Sequence, residues 1–72
     1  MRITYDSNAD ALYIRLLEGE YECEVLRINE DVALEIGPGQ ALVGIEVVNA
    51  RSVLGEGRHP AVVLENLPRF TL

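Results

Sequence analysis

The chain has 72 residues, 49% of them hydrophobic, and twelve acids against six arginines give a formal net charge of −6. One cysteine rules out an intrachain disulfide, and one histidine nearly excludes a Cys/His metal site. The acidic balance argues against nucleic-acid binding, which needs a basic stripe to neutralise phosphates. A domain this short buries only about 60% of the surface its unfolded chain exposes. With disulfides and metals set aside, self-association is the standard device left to it, so a homodimer is expected.

The hydrophobic pattern has period two almost throughout. Met1, Ile3 and Tyr5 alternate with Arg2 and Thr4, which reads as a half-buried strand. Asp6-Ser7-Asn8-Ala9-Asp10 is rich in side chains that bond their own backbone and close a turn. Leu12, Ile14 and Leu16 then share a face opposite Tyr13 and Arg15, predicting a second strand in a hairpin with the first. Leu17-Glu18-Gly19-Glu20 is a turn. Tyr21, Cys23 and Val25 follow on one face of a third strand, opposite Glu22 and Glu24. Val25 and Leu26 are adjacent apolar residues, so a bulge or a strand end is expected there. Asn29-Glu30-Asp31 turns the chain into a fourth strand, with Val32, Leu34 and Ile36 on one face. Gly37-Pro38-Gly39-Gln40 is the strongest breaker, and Val43, Ile45 and Val47 mark a fifth strand.

Asn49 suits the N-cap of a short helix over Ala50-Arg51-Ser52-Val53-Leu54, with Gly55 as its stop. Gly55-Glu56-Gly57-Arg58 is a joint. His59-Pro60 opens a tail that leans towards helix over residues 61–67, although Val62 and Val63 favour strand. Val63, Leu64, Leu67 and Phe70 need a surface to pack on. The expected architecture is α+β: a small antiparallel sheet of about five short strands in a meander, with a short C-terminal helix. Residues 1–54 form the β domain with its helix, and residues 55–72 form a tail packing on the same domain or on a second subunit.

Few residues carry candidate chemistry. Asp6, Asn8 and Asp10 match the opening of a calcium loop, but Ala11 and Leu17 stand where such a loop wants glycine and a bidentate glutamate, so a self-bonded turn is expected. Glu18, Glu20, Glu22 and Glu24, two apart, read as a solvated strand face that discourages edge-to-edge aggregation. Cys23, flanked by Glu22 and Glu24, reads as a small buried hydrophobe rather than a reactive thiolate. His59 is the only conventional general base. Gly37-Pro38-Gly39 carries neither the lysine nor the serine of a phosphate loop or nucleophile elbow. No apolar run approaches the roughly 20 residues of a membrane helix, and no export signal is visible, so a cytoplasmic protein without cofactor is expected.

The opening residues carry a resemblance. Ile3-Thr4-Tyr5-Asp6 followed by Ala9-Asp10-Ala11-Leu12-Tyr13-Ile14 resembles the signature of a family of small prokaryotic proteins, domain of unknown function 2283. Val43-Gly44-Ile45-Glu46-Val47 continues it, and together these segments span most of residues 1–54. Gly37-Pro38-Gly39-Gln40 departs from the acidic turn usual there. The resemblance implies a compact antiparallel sheet with a helix. It assigns no activity and no catalytic residue, and it raises an antitoxin-like role as the acidic partner of a small basic protein. The residues themselves support a non-enzymatic, self-associating interaction module. The competing reading is a small enzyme or ligand-binding protein in which Tyr5, Asp6, Asp10 and Tyr13 line a polar pocket, with His59 as its base.

Overall fold

The computed structural model describes residues 1–65. It contains one five-stranded antiparallel sheet, built from β1 (Arg2–Asp6), β2 (Ala11–Arg15), β3 (Glu24–Arg27), β4 (Val32–Ile36) and β5 (Leu42–Val48), followed by a short helix α1 (Ala50–Leu54). The α+β class, the strand number and the helix are those the periodicity indicates. Strand order is β1-β2-β5-β4-β3, so the strands do not follow one another as a simple meander. The β1–β2 hairpin docks instead against β5, the last strand. The connection from Leu16 to Cys23 is too long for a tight hairpin, which frees β2 to take the most apolar strand as its neighbour.

Two local side-chain turns set the hairpins. The Asp6 carboxylate accepts the backbone N–H groups of Asn8 at 2.9 Å and Ala9 at 3.2 Å, closing the β1–β2 turn as the sequence implies. Asn29 does the same for β3–β4, where its Oδ1 accepts N–H groups from Asp31 and Val32, each at 2.8 Å. A 3-10 turn over Pro38–Gln40 links β4 to β5, with Gly39 at φ 69° where a side chain is strained.

Register separates the two faces. Ile3 pairs with Ile14, Tyr5 and Val47 with Leu12, Ile45 with Ile14 and Leu34, and Val32 with Val47. Paired residues share a face, so these residues make one apolar surface. Arg2, Asp6, Arg15, Arg27, Glu35 and Glu46 fall on the other, and Glu24 is the one charged strand residue on the apolar side. Leu12, Val47 and Ala50 form the buried cluster, with Tyr5, Ile14, Val32 and Ile45 packed around it. α1 therefore sits on the apolar face.

Several sequence expectations fail for identifiable reasons. Only Glu24 of the four spaced glutamates lies in a strand; Glu18, Glu20 and Glu22 belong to the connection before β3. That connection folds on itself, because Gly19 takes φ 107° and the Tyr21 hydroxyl donates to the Glu18 carbonyl at 3.0 Å. Cys23 is half-buried there rather than fully enclosed. Val25 and Leu26 both lie in regular β3; the register shift falls at Glu35/Ile36 instead, opposite β5. As an edge strand exposed on both faces, β3 has no core demanding strict alternation. Residues 61–65 form no regular structure, so the helix expected there is absent, in keeping with β-branched Val62 and Val63. The remainder of that expected helix, and the packing of Leu67 and Phe70, lie outside the described residues.

The core is small enough that single truncations are severe. Leu12 is 5% exposed against Val47 and Ala50. Leu12→Ala is expected to destabilise by about 2–5 kcal/mol, read from chemical denaturation with an unchanged m-value.

Candidate functional site

The structure divides the expected polar pocket into two clusters on opposite faces of the sheet. On the apolar side, at the end of the β1–β2 hairpin, the Tyr5 hydroxyl donates to Asp10 Oδ1 at 2.6 Å. The Asp10 carboxylate also accepts the Arg51 backbone N–H at 3.1 Å, and the Arg51 guanidinium lies 3.5 Å away. The Asp10 carbonyl accepts the Ala50 N–H at 3.0 Å. Asp10 thus satisfies two of the free N–H groups at the start of α1 from a distant turn. It does so with φ 51°, a left-handed conformation that aspartate tolerates.

Asn49 occupies the N-cap position and its carbonyl accepts the Ser52 and Val53 N–H groups, each at 3.0 Å, but its side chain does not cap the helix. Its own φ of 53° is left-handed, and it makes no side-chain cap bond. Its amide instead donates to Asp31 Oδ1 at 2.9 Å, while the Asp31 carbonyl accepts the Val48 N–H at 2.8 Å. Asp10 thus holds the first residues of the helix, and Asp31 holds the end of β5 just before it. His59 reaches the same region, with its ring centroid 5.6 Å from that of Tyr5 at a tilt of 57°, within the range of aromatic pairing.

The charges here follow from those contacts. The Tyr5 hydroxyl holds the Asp10 carboxyl below the usual carboxylate range, and the Arg51 backbone and guanidinium add to the effect. The same bond pushes the Tyr5 phenol up. Asp6 stays bonded in its own turn, and its charge adds slightly to the upward push on Tyr5.

Tyr13 lies on the polar face, away from Tyr5 and Asp10. Its ring crosses the central strand β5 and its hydroxyl donates to Glu35 Oε1 on β4. That bond raises the Tyr13 phenol above its ordinary value. The crossing is possible only over Gly44. A Cβ there would fall 2.8 Å from Tyr13 Cζ and 2.9 Å from Glu35 Oε1. Neither Glu35 nor Gly44 was a candidate site residue, although Gly44 lies in the Val43–Val47 segment of the resemblance, and a glycine inside an apolar strand is a recognised sign of close approach by a neighbour.

Beside Tyr13 lies an open recess of about 520 Å³, lined by Arg2, Thr4, Arg15, Glu18 and Tyr21 among others. Its cations are already engaged. Arg2 pairs with Glu18 at 3.0 Å, and Arg15 donates to the carbonyls of Leu17 at 2.6 Å and of Gly19. Each arginine of the recess thus already faces an acceptor of this chain. Among the described residues no group of three His, Cys, Asp or Glu side chains could hold a metal ion, no buried side-chain polar atom lacks a partner, and no helix is long and apolar enough to cross a membrane.

The sheet, its Asp10-capped helix and the Tyr13–Gly44–Glu35 bridge define a small α+β protein whose motif residues Tyr5, Asp10 and Tyr13 bond to other groups of the same fold. The model of the family described as "Protein of unknown function (DUF2283)" matches residues 2–51, and the chain belongs to that family. The matched stretch ends at Arg51, the last residue that Asp10 contacts. Comparison with curated proteins and with solved structures returns no match.

Two outcomes test this account of the motif. An aspartate whose folded pKa is depressed contributes stability that is complete above the ordinary value of about 3.9 and lost as pH falls through the lower folded value. Asp10→Asn should therefore lower Tm at neutral pH, and the gap to wild type should close below about pH 4 in thermal scans. Gly44→Ala should displace the Tyr13 ring and cost about 1–3 kcal/mol. In a Tyr13→Ala background the same change should be neutral or stabilising, because the crowding is gone and alanine orders more readily than glycine. An equal penalty in both backgrounds would refute the bridge.

Proposed function

We propose that this protein works as a non-enzymatic, self-associating interaction module. The observation that carries this reading is the surface left bare. Leu26 and Ile28, on β3 and just after it, are 53% and 55% exposed, and the hydrophobic residues buried among those described are few: Leu12, Ala33, Val43, Val47 and Ala50. So short a chain, with one cysteine and no metal-holding cluster among the described residues, gains the missing burial by pairing with a second copy.

The engaged polar groups also favour this reading. Tyr5 and Asp10 hold α1, Asp6 closes a turn, and Tyr13 is bound to Glu35. His59 packs against Tyr5 with no nucleophilic serine or cysteine bonded to it among the described residues. Catalysis needs such groups convergent and available.

Size-exclusion chromatography with light scattering at micromolar concentration is the test, and a mass of twice 8.0 kDa is expected. Because each copy carries a net charge of −6, raising salt from about 0.05 M to about 0.5 M should strengthen association by screening repulsion. A mass of 8.0 kDa under both conditions would overturn the reading.

A further inference from the structure

The apolar face is covered at one end and bare at the other. Ala50 of α1 sits over Leu12 and Val47. Pro60 and Val62 line a recess with Ile3 and Leu12, above β1 and β2. At the far edge Leu26 is 53% exposed and Ile28 is 55% exposed. Leu26 pairs with Leu34 on the apolar face. The Ile28 N–H donates to the Val32 carbonyl at 2.8 Å, which carries the same register and the same face one step further. Edge strands are ordinarily blunted by charge. Among the described residues Glu24 is the only charge that a strand places on this side.

We propose that a second copy of this chain covers this end, packing the apolar face of its β3–β4 hairpin against the same surface about a two-fold axis. This rests on the self-association reading and adds where the contact lies. A two-fold contact uses one patch on both copies, so Leu26, Ile28 and Leu34 of each meet those of the other. Two sheets facing each other this way stand about 10 Å apart, with their inner side chains interdigitated. Charge placement suits a second copy. The other charged strand residues all lie on the polar face, so two chains of like net charge can meet here while burying no unpaired charge beyond Glu24 at the rim. A chain with so few buried hydrophobic residues among those described, and with one cysteine, has self-association as its remaining means of adding core, and a second copy supplies it here.

The test compares Leu26→Arg/Ile28→Arg with Val25→Arg, the neighbouring residue on the polar face, itself 65% exposed. Light scattering at micromolar concentration should give the wild type and Val25→Arg at twice 8.0 kDa and the double variant at 8.0 kDa, with at least tenfold weaker association. Circular dichroism reports whether each variant is folded. Isotope-filtered NOEs on a mixed labelled and unlabelled wild-type sample should connect Leu26, Ile28 and Leu34 methyls between copies, and they decide the matter alone where the double variant does not fold. A folded double variant that remains dimeric, or NOEs confined to other residues, would overturn this placement while leaving self-association intact. A monomeric wild type would overturn both.

Discussion

β5 is hydrogen-bonded along both edges, to β2 on one side and β4 on the other. Without it the chain would be two separate hairpins, and a lone hairpin is marginal in water. Its pairing sets the register of the whole sheet, and through register it decides which residues share a face. Leu12, Val47 and Ile45 meet because β5 lies between the hairpins. The same pairing places Gly44 under the Tyr13 ring and brings Glu35 within its reach.

The polar residues of the opening motif serve that arrangement. Asp10 belongs to the β1–β2 turn but holds the start of α1, which follows β5. Asp31 belongs to the β3–β4 turn and holds Asn49 and the end of β5. Each hairpin thus contributes one aspartate to the junction where the helix begins. The family match ends at Arg51, so it takes in both members of the Asp10–Arg51 contact and omits the tail. An account of the motif as a structural clasp explains why its tyrosine and aspartate occur together without requiring a substrate.

The limits of a short chain appear on the apolar face. A five-residue helix cannot roof five strands, and among the described residues the buried hydrophobics are few: Leu12, Ala33, Val43, Val47 and Ala50. Large apolar side chains stay exposed at β3 and after it. Isolated exposed hydrophobes are ordinary, but Leu26 and Ile28 continue a face whose other end is already packed. That continuity gives the self-association reading its physical content.

Much of the fold was legible from local pattern. The period-two alternation located four of the five strands, because each side chain's face depends only on its neighbours along the chain; it placed the third too early, over Tyr21 and Cys23, where β3 runs Glu24–Arg27 and turns Val25 to the polar face. Asp6 and Asn29 announced their turns, since those bonds span two or three residues. The order of the strands was not legible, because pairing β2 with β5 is a choice between distant segments. For the same reason Asn49 reads as a cap in sequence while Asp10, 41 residues before Arg51, supplies the carboxylate. Tyr5 and Tyr13 look alike in the motif, yet their positions put one on each face, and only the neighbours across the sheet decide what each hydroxyl meets. Local pattern was enough for four strands, the two side-chain turns and the apolar excess, all of which follow from short-range geometry and composition. The tertiary structure alone decided which polar groups are engaged and where the apolar surface stays open, because both depend on contacts between residues far apart in the chain.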